Sequence, residues 1–169
     1  HNKKFCKNHI NYKNIKNKLL EKFNKLYKHI SPNNIPFEKI CIQRWFYIAE
    51  FMKKQQINKA FICDSDVLLY CNINELVNKY YKDDLYFVTM NDKIPVNACQ
   101  SIWTLKKINE FINFIINFYE NSDWPYVINY WNDYNNKLSG GISDMYLLYC
   151  YITKTTFKQN NFKLDTKLI

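Results

Sequence analysis

The stretch 59-KAFICDSDVLLYC-71 decides how the chain is read. Lys59 to Cys63 is a short apolar run of strand length; Asp64 and Asp66 follow it, and Val67, Leu68, Leu69 and Tyr70 lie beyond. An ionised carboxylate is costly to bury without a partner, so two of them in an apolar run imply something to hold. Read as a buried strand of an α/β sheet, the run ends at the carboxyl edge, in the crevice where open α/β sheets bind ligands. Side chains alternate along a strand, so residues two apart share a face. Asp64 and Asp66 then converge on one site, with small Ser65 between them. Two oxygen donors suit Mg²⁺ or Mn²⁺, which keep several waters and complete their shell with substrate phosphates. The triplet alone has a plainer reading, because an aspartate after a strand also caps a turn or a helix.

Outward from that strand the pattern is helical on both sides. Ile15, Leu19, Leu20, Phe23, Leu26 and Tyr27 recur with helical spacing over 14–30, and Ser31-Pro32-Asn33-Asn34 and Pro36 break the repeat. From Phe37 to Gln55, the residues Ile40, Cys41, Trp45, Ile48, Ala49 and Met52 mark one face of a second helix. After the aspartates, Asn72 or Asn74 caps a short helix through Tyr80. Leu85–Met90 and Cys99–Leu105 read as strands. Lys106–Tyr119 is apolar on most of its circumference, so it reads as a helix covered by its neighbours. Trp124–Asn135 is aromatic and ambiguous. Ile142–Thr153 is a helix with Ser143 or Asp144 near its start. The order αα–β–α–β–β–α–α predicts a mixed α/β sandwich of one domain, with no repeat and no linker.

Length and composition agree with one packed domain: 169 residues, 47% hydrophobic and 18% aromatic. No apolar segment reaches the roughly 18–20 residues of a spanning helix. The first residues are basic and lack the apolar region of a signal peptide, and a start at His1 suggests a fragment or processed chain. A net charge of +9 suits nucleic acid, an anionic membrane surface or a phosphorylated small molecule. The crowding of Lys, Asn, Ile, Tyr and Phe beside two Gly and a single Arg is also what an A/T-rich coding sequence produces. No recognised nucleic-acid motif accompanies the charge, which argues against that partner. The six cysteines show no CxxC pair, which argues against zinc and a disulfide framework. Reduced thiols suit a cytoplasmic protein, with peripheral membrane contact as an extension.

The blocks FEKICIQRWFYIAEFMKKQQINKAFICDSDVLLYCNINEL, QSIWTLKKINEFINFIINFY and GGISDMYLLY together resemble the core of the GT-A-type glycosyltransferases, enzymes of nucleotide-diphospho-sugars. The resemblance covers residues 25–155. It implies a GT-A-like α/β fold, a mixed sheet flanked by helices. It also implies that Asp64 and Asp66 bind Mn²⁺ or Mg²⁺ bridging the donor's diphosphate. Asp66 would be the direct ligand, and Asp64 would act on the nucleotide ribose or through metal-bound water. The metal would neutralise charge on the departing nucleoside diphosphate.

By the same resemblance Arg44 lies beside the donor and contacts the diphosphate or orients Asp64. A planar fork of donors suits either task, or a purely structural salt bridge. Asp144 resembles a position near the acceptor, where it would be the general base of an inverting transfer; its alternative is a carboxylate that complements the helix dipole. Ser101 matches a substrate-binding serine. Trp124, Tyr126, Tyr130, Trp131 and Tyr134 either stack on a sugar or pack in the core. His9 and His29 are expected at the surface, and neither they nor His1 has a spaced partner.

The chain departs from that family at both ends. It shows no counterpart of the first nucleotide-binding strand before Asn14, and no histidine after His29 to serve as a third metal ligand. Residues 1–169 are therefore expected to form a single, partial GT-A-like domain. The expected function is metal-dependent transfer of a sugar from a nucleotide-diphospho-sugar to a glycan or lipid-linked acceptor. The alternative is an inactive or truncated homologue acting as a binding or assembly module.

Overall fold

The computed structural model describes residues 15–80, 85–88, 97–134 and 141–153. His1, His9, Cys6, Met90, Gly140 and the segment 160–169 lie outside them, as do the side chains of Cys99, Tyr130, Trp131 and Tyr134. The architecture is mixed α/β: α1 (Lys18–Leu26), α2 (Ile35–Lys54), β1 (Lys59–Cys63), α3 (Ile73–Tyr80), β2 (Leu85–Val88), β3 (Asn97–Thr104), α4 (Leu105–Asn121), α5 (Trp124–Tyr134) and α6 (Asp144–Thr153).

Local chemistry sets the helix ends. The Asn17 side chain accepts the Leu20 N–H at 2.9 Å and starts α1. Asn34 does the same for α2 through the Phe37 N–H, with Pro36 in the first turn, where its missing donor costs nothing. At the far end of α2 the Ile57 N–H reaches the Met52 carbonyl at 2.8 Å, and the Gln56 N–H reaches Lys53. Gln56 takes φ of 54°, the left-handed position that this closure usually gives to glycine. That turn delivers the chain directly into β1.

β1 pairs antiparallel with β3, and β3 pairs antiparallel with β2, giving the order β1-β3-β2. This corrects the expectation of β1 as a buried strand. Among the described strands the sheet is wholly antiparallel, β1 is at its edge, and only Ile62 of β1 is buried. An antiparallel sheet needs one covered face, not two. Register places Ala60 opposite Trp103 and Ile62 opposite Ser101, and these residues form the core face.

The core sits between that face and α4. Ile108, Phe111, Ile112, Ile115, Ile116, Phe118 and Tyr119 of α4 are all buried, and α1, α2, α6 and β3 pack around it. The Leu105 N–H bonds to the Asn58 carbonyl at 2.9 Å, tying the β3–α4 junction to the entry of β1. Trp45 and Trp103 pack with ring centroids 4.9 Å apart, and Phe111 meets Trp45 edge-on. The ambiguous aromatic segment is the helix α5; Pro125 fits its first turn, and Trp124 stacks on Tyr119 while donating to its carbonyl at 3.0 Å. Among the described residues no helix is long and apolar enough to cross a membrane.

Candidate functional site

β1 ends where Cys63 pairs with Gln100, and the aspartates lie just past it. Asp64 to Val67 form a turn closed by the Val67 N–H on the Asp64 carbonyl at 3.2 Å. Strand alternation therefore does not set the two side chains, which is a correction: they share a turn, with Asp64 half-buried and Asp66 exposed.

Arg44 reaches this turn from the middle of α2. Its neighbour Trp45 is fully buried, which fixes the rotation of the helix and leaves Arg44 at the margin of the core. The guanidinium lies 5.4 Å from the Trp45 ring, a cation–π distance. One end of the fork donates from Nη1 to Asp64 Oδ1 at 2.7 Å, and the other donates from Nη2 to Asp144 Oδ2 at 2.6 Å. Three residues separated by 20 and 100 positions thus meet in one ion-pair triad. Arg44 meets Asp64, a contact that suits an orienting role and a structural salt bridge alike. Its bond to Asp144 was not foreseen.

Asp144 is brought there by the start of α6. Ser143 is the cap, its side chain accepting the Tyr146 N–H at 3.1 Å, so Asp144 is the first helical residue. Upstream, the Ile142 N–H donates to the Ile30 carbonyl at 2.6 Å, and Gly141 lies against Ile30 and Ser31 so closely that a Cβ would overlap the Ile30 carbonyl oxygen. The loop on the other side is held by Glu38, a residue that the sequence reading passed over. Glu38 is only 2% exposed and accepts from Ser31 Oγ at 2.6 Å and Asn33 Nδ2 at 2.9 Å. Its signal was available: an acid in the first turn of a helix, a few residues after a Ser and an Asn in a helix-breaking stretch.

Burial raises the pKa of Asp144, against the opposing pull of Arg44, the nearby Trp45 indole and the Met145 N–H. Burial works against the charge of Arg44, but Asp144 and Asp64 outweigh it and raise its pKa. Cys41, one turn back on α2, is pushed up by burial and then by Asp144, with Arg44 opposing. Its thiol is thus held protonated and poorly nucleophilic.

Ser101 is not part of this cluster. It faces the core from β3, buried, and its hydroxyl accepts the Trp103 indole N–H at 2.8 Å. His29 is half-buried, with Nδ1 3.0 Å from the Tyr27 hydroxyl, rather than open to solvent as expected. Of the aromatic set, Trp124 is packed against Tyr119 and Tyr126 is exposed.

Among the described residues no three carboxylate, imidazole or thiol side chains gather as a metal cage. The donor set at the turn is two carboxylates, one of them exposed. Carboxylate oxygens are the donor type that hard divalent cations such as Mg²⁺ and Mn²⁺ take, and one oxygen of Asp64 is engaged by Arg44. No family model, curated protein or solved structure matches the chain.

Proposed function

We propose that the chain is the core of a metal-dependent GT-A-type glycosyltransferase, moving a sugar from a nucleotide-diphosphate donor to a glycan or lipid-linked acceptor. The observation that carries this reading is the Arg44–Asp64 bond of 2.7 Å at the exit of β1. It brings the one guanidinium of the chain to a turn bearing two carboxylates, so charges of both signs stand together. That combination suits a diphosphate bound through a divalent cation, with carboxylates for the cation and positive charge near the phosphates. In this reading Asp66 and Asp64 hold Mn²⁺ or Mg²⁺, and Arg44 orients Asp64 for it. The bound cation supplies Lewis-acid assistance to the departing nucleoside diphosphate.

The residues beyond the turn bear on the acceptor. Leu68, Leu69 and Tyr70 are 75%, 49% and 92% exposed, an apolar run beside the candidate site. Together with a net charge of +9, they support an acceptor with a lipid portion, reached at an anionic cytoplasmic membrane surface.

A second reading, a binding or assembly module without catalysis, draws on the burial of Asp144, which leaves the expected base with little access to an acceptor. Calorimetry against uridine, guanosine and thymidine diphosphates, with and without Mn²⁺, tests the first reading. Metal-dependent binding that disappears in Asp66→Ala supports it, and no binding to any of the three overturns it. Binding without sugar transfer or donor hydrolysis selects the module.

A further inference from the structure

We propose that Asp144 is a positioning residue: it fixes Arg44, and through Arg44 it fixes Asp64. The three side chains differ sharply in their access to water, at 8% for Asp144, 25% for Arg44 and 36% for Asp64. The Arg44–Asp144 bond is the enclosed one. An ion pair open to water holds its geometry weakly, because two long side chains lose rotamer freedom for a screened attraction. Arg44 has already lost that freedom elsewhere. Nη2 is held by Asp144, and the guanidinium sits near the Trp45 ring.

A guanidinium is planar and rigid, so with Nη2 on Asp144 and Cζ 5.4 Å from the Trp45 ring centroid, the directions open to Nη1 are narrowed. Nη1 points at Asp64. Asp144 is itself fixed by the first turn of α6 and by the Gly141–Ile30 contact behind it. The order of control runs from α6 to α2 to the turn after β1. A lysine in place of Arg44 could not carry it, having a single charged nitrogen and no plane.

The functional weight of this relay rests on reading Asp64 as part of the donor site, but the relay can be measured without that reading. Arg44 is the only arginine, so protein labelled with ¹⁵N-arginine gives a single guanidinium spectrum. Nuclear magnetic resonance of the wild type should show two resolved Nη groups, with the Nη2 protons exchanging with water more slowly than the Nη1 protons. Equal exchange, or slower exchange at Nη1, overturns the proposal without any mutation.

In Asp144→Asn both Nη signals should merge, in Asp64→Asn the Nη2 signal should stay resolved, and Asp144→Glu should restore part of the splitting. An Asp144→Asn protein with a native backbone spectrum that keeps Nη1 resolved also overturns it. Where the wild type binds uridine diphosphate with Mn²⁺, Asp144→Asn should weaken that binding by about tenfold, the size typical of a residue that orients a metal ligand. Failure of the wild type to bind removes the donor reading and leaves the guanidinium spectra to decide the relay.

Discussion

Ile142 donates its backbone N–H to the Ile30 carbonyl at 2.6 Å, joining the entry of α6 to the loop before α2. Gly141 makes the approach possible, since any side chain there would collide with backbone atoms of Ile30 and Ser31. What the position requires is room. Gly141→Ala should therefore destabilise the protein by about 1–3 kcal/mol, the usual cost of overpacking, and disturb the seat of Asp144. Chemical denaturation checks the stability, and a loss below about 0.5 kcal/mol would show that the loop yields freely.

The two aspartates of the turn should separate in their effect on folding. Asp66 is exposed, so Asp66→Ala should change stability by no more than about 0.5 kcal/mol while removing any metal-dependent nucleotide binding. Asp64→Ala also takes away a charge-assisted bond from Arg44 and should cost about 1–2 kcal/mol. Paired urea titrations measure both, and equal effects would contradict the geometry.

Burial, then Glu38 and Cys41, push the Tyr27 hydroxyl up to about 12; burial, then Glu110, do the same for Tyr151. A folded-state pKa above the unfolded value of about 10 means that the folded chain keeps its proton longer. The stability tied to these protons is complete below about pH 10 and is lost as pH rises from about 10 to about 12. Tyr151→Phe should flatten the alkaline fall in melting temperature. A wild-type melting temperature that stays level through that window would refute the assignment.

Thiol reactivity should follow position. Cys63 and Cys71 frame the aspartate turn and are exposed, whereas Cys41 is half-buried with a raised pKa and Cys150 is buried. Among the described cysteines, brief alkylation of native protein followed by peptide mass spectrometry should mark Cys63 and Cys71 before Cys41, and Cys150 only on unfolding. Early labelling of Cys150 would mean that α6 opens readily.

Gln56 occupies the left-handed position at the end of α2, with φ of 54°. Glycine takes that conformation without the Cβ penalty of about 1–2 kcal/mol, although it loses more chain entropy on folding. Gln56→Gly should raise stability by up to about 1 kcal/mol, measured as a higher urea midpoint at unchanged slope.

Helices α2 and α4 are legible in the sequence because long apolar runs mark them, and Asn34 with Pro36 marks the start of α2. β1 is legible to the residue. Its surroundings are not: a short apolar run reads equally as a central parallel strand or an antiparallel edge, and only the pairing with β3 decides. Similarly, α1 is shorter than the periodic stretch 14–30, since Asn17 captures the Leu20 N–H and sets its start. Within the candidate site, Arg44 and Asp64 are close enough in sequence, on adjoining elements, for their meeting to be anticipated. The Asp144 contact spans 100 residues and depends on a backbone fit at Gly141, which no local pattern records. Ser101 fails for a simpler reason: alternation along β3 turns it to the core face with Trp103.

The Trp45–Trp103 pair has an optical consequence. Two indoles 4.9 Å apart at 54° are close enough for their excited states to couple, and coupled tilted indoles give a signed exciton band in circular dichroism. One member of the pair also lies beside the Arg44 guanidinium, whose charge shifts indole transitions. Any event that moves Arg44 should therefore register in that band, giving the unlabelled protein a chromophore gauge beneath its carboxylates.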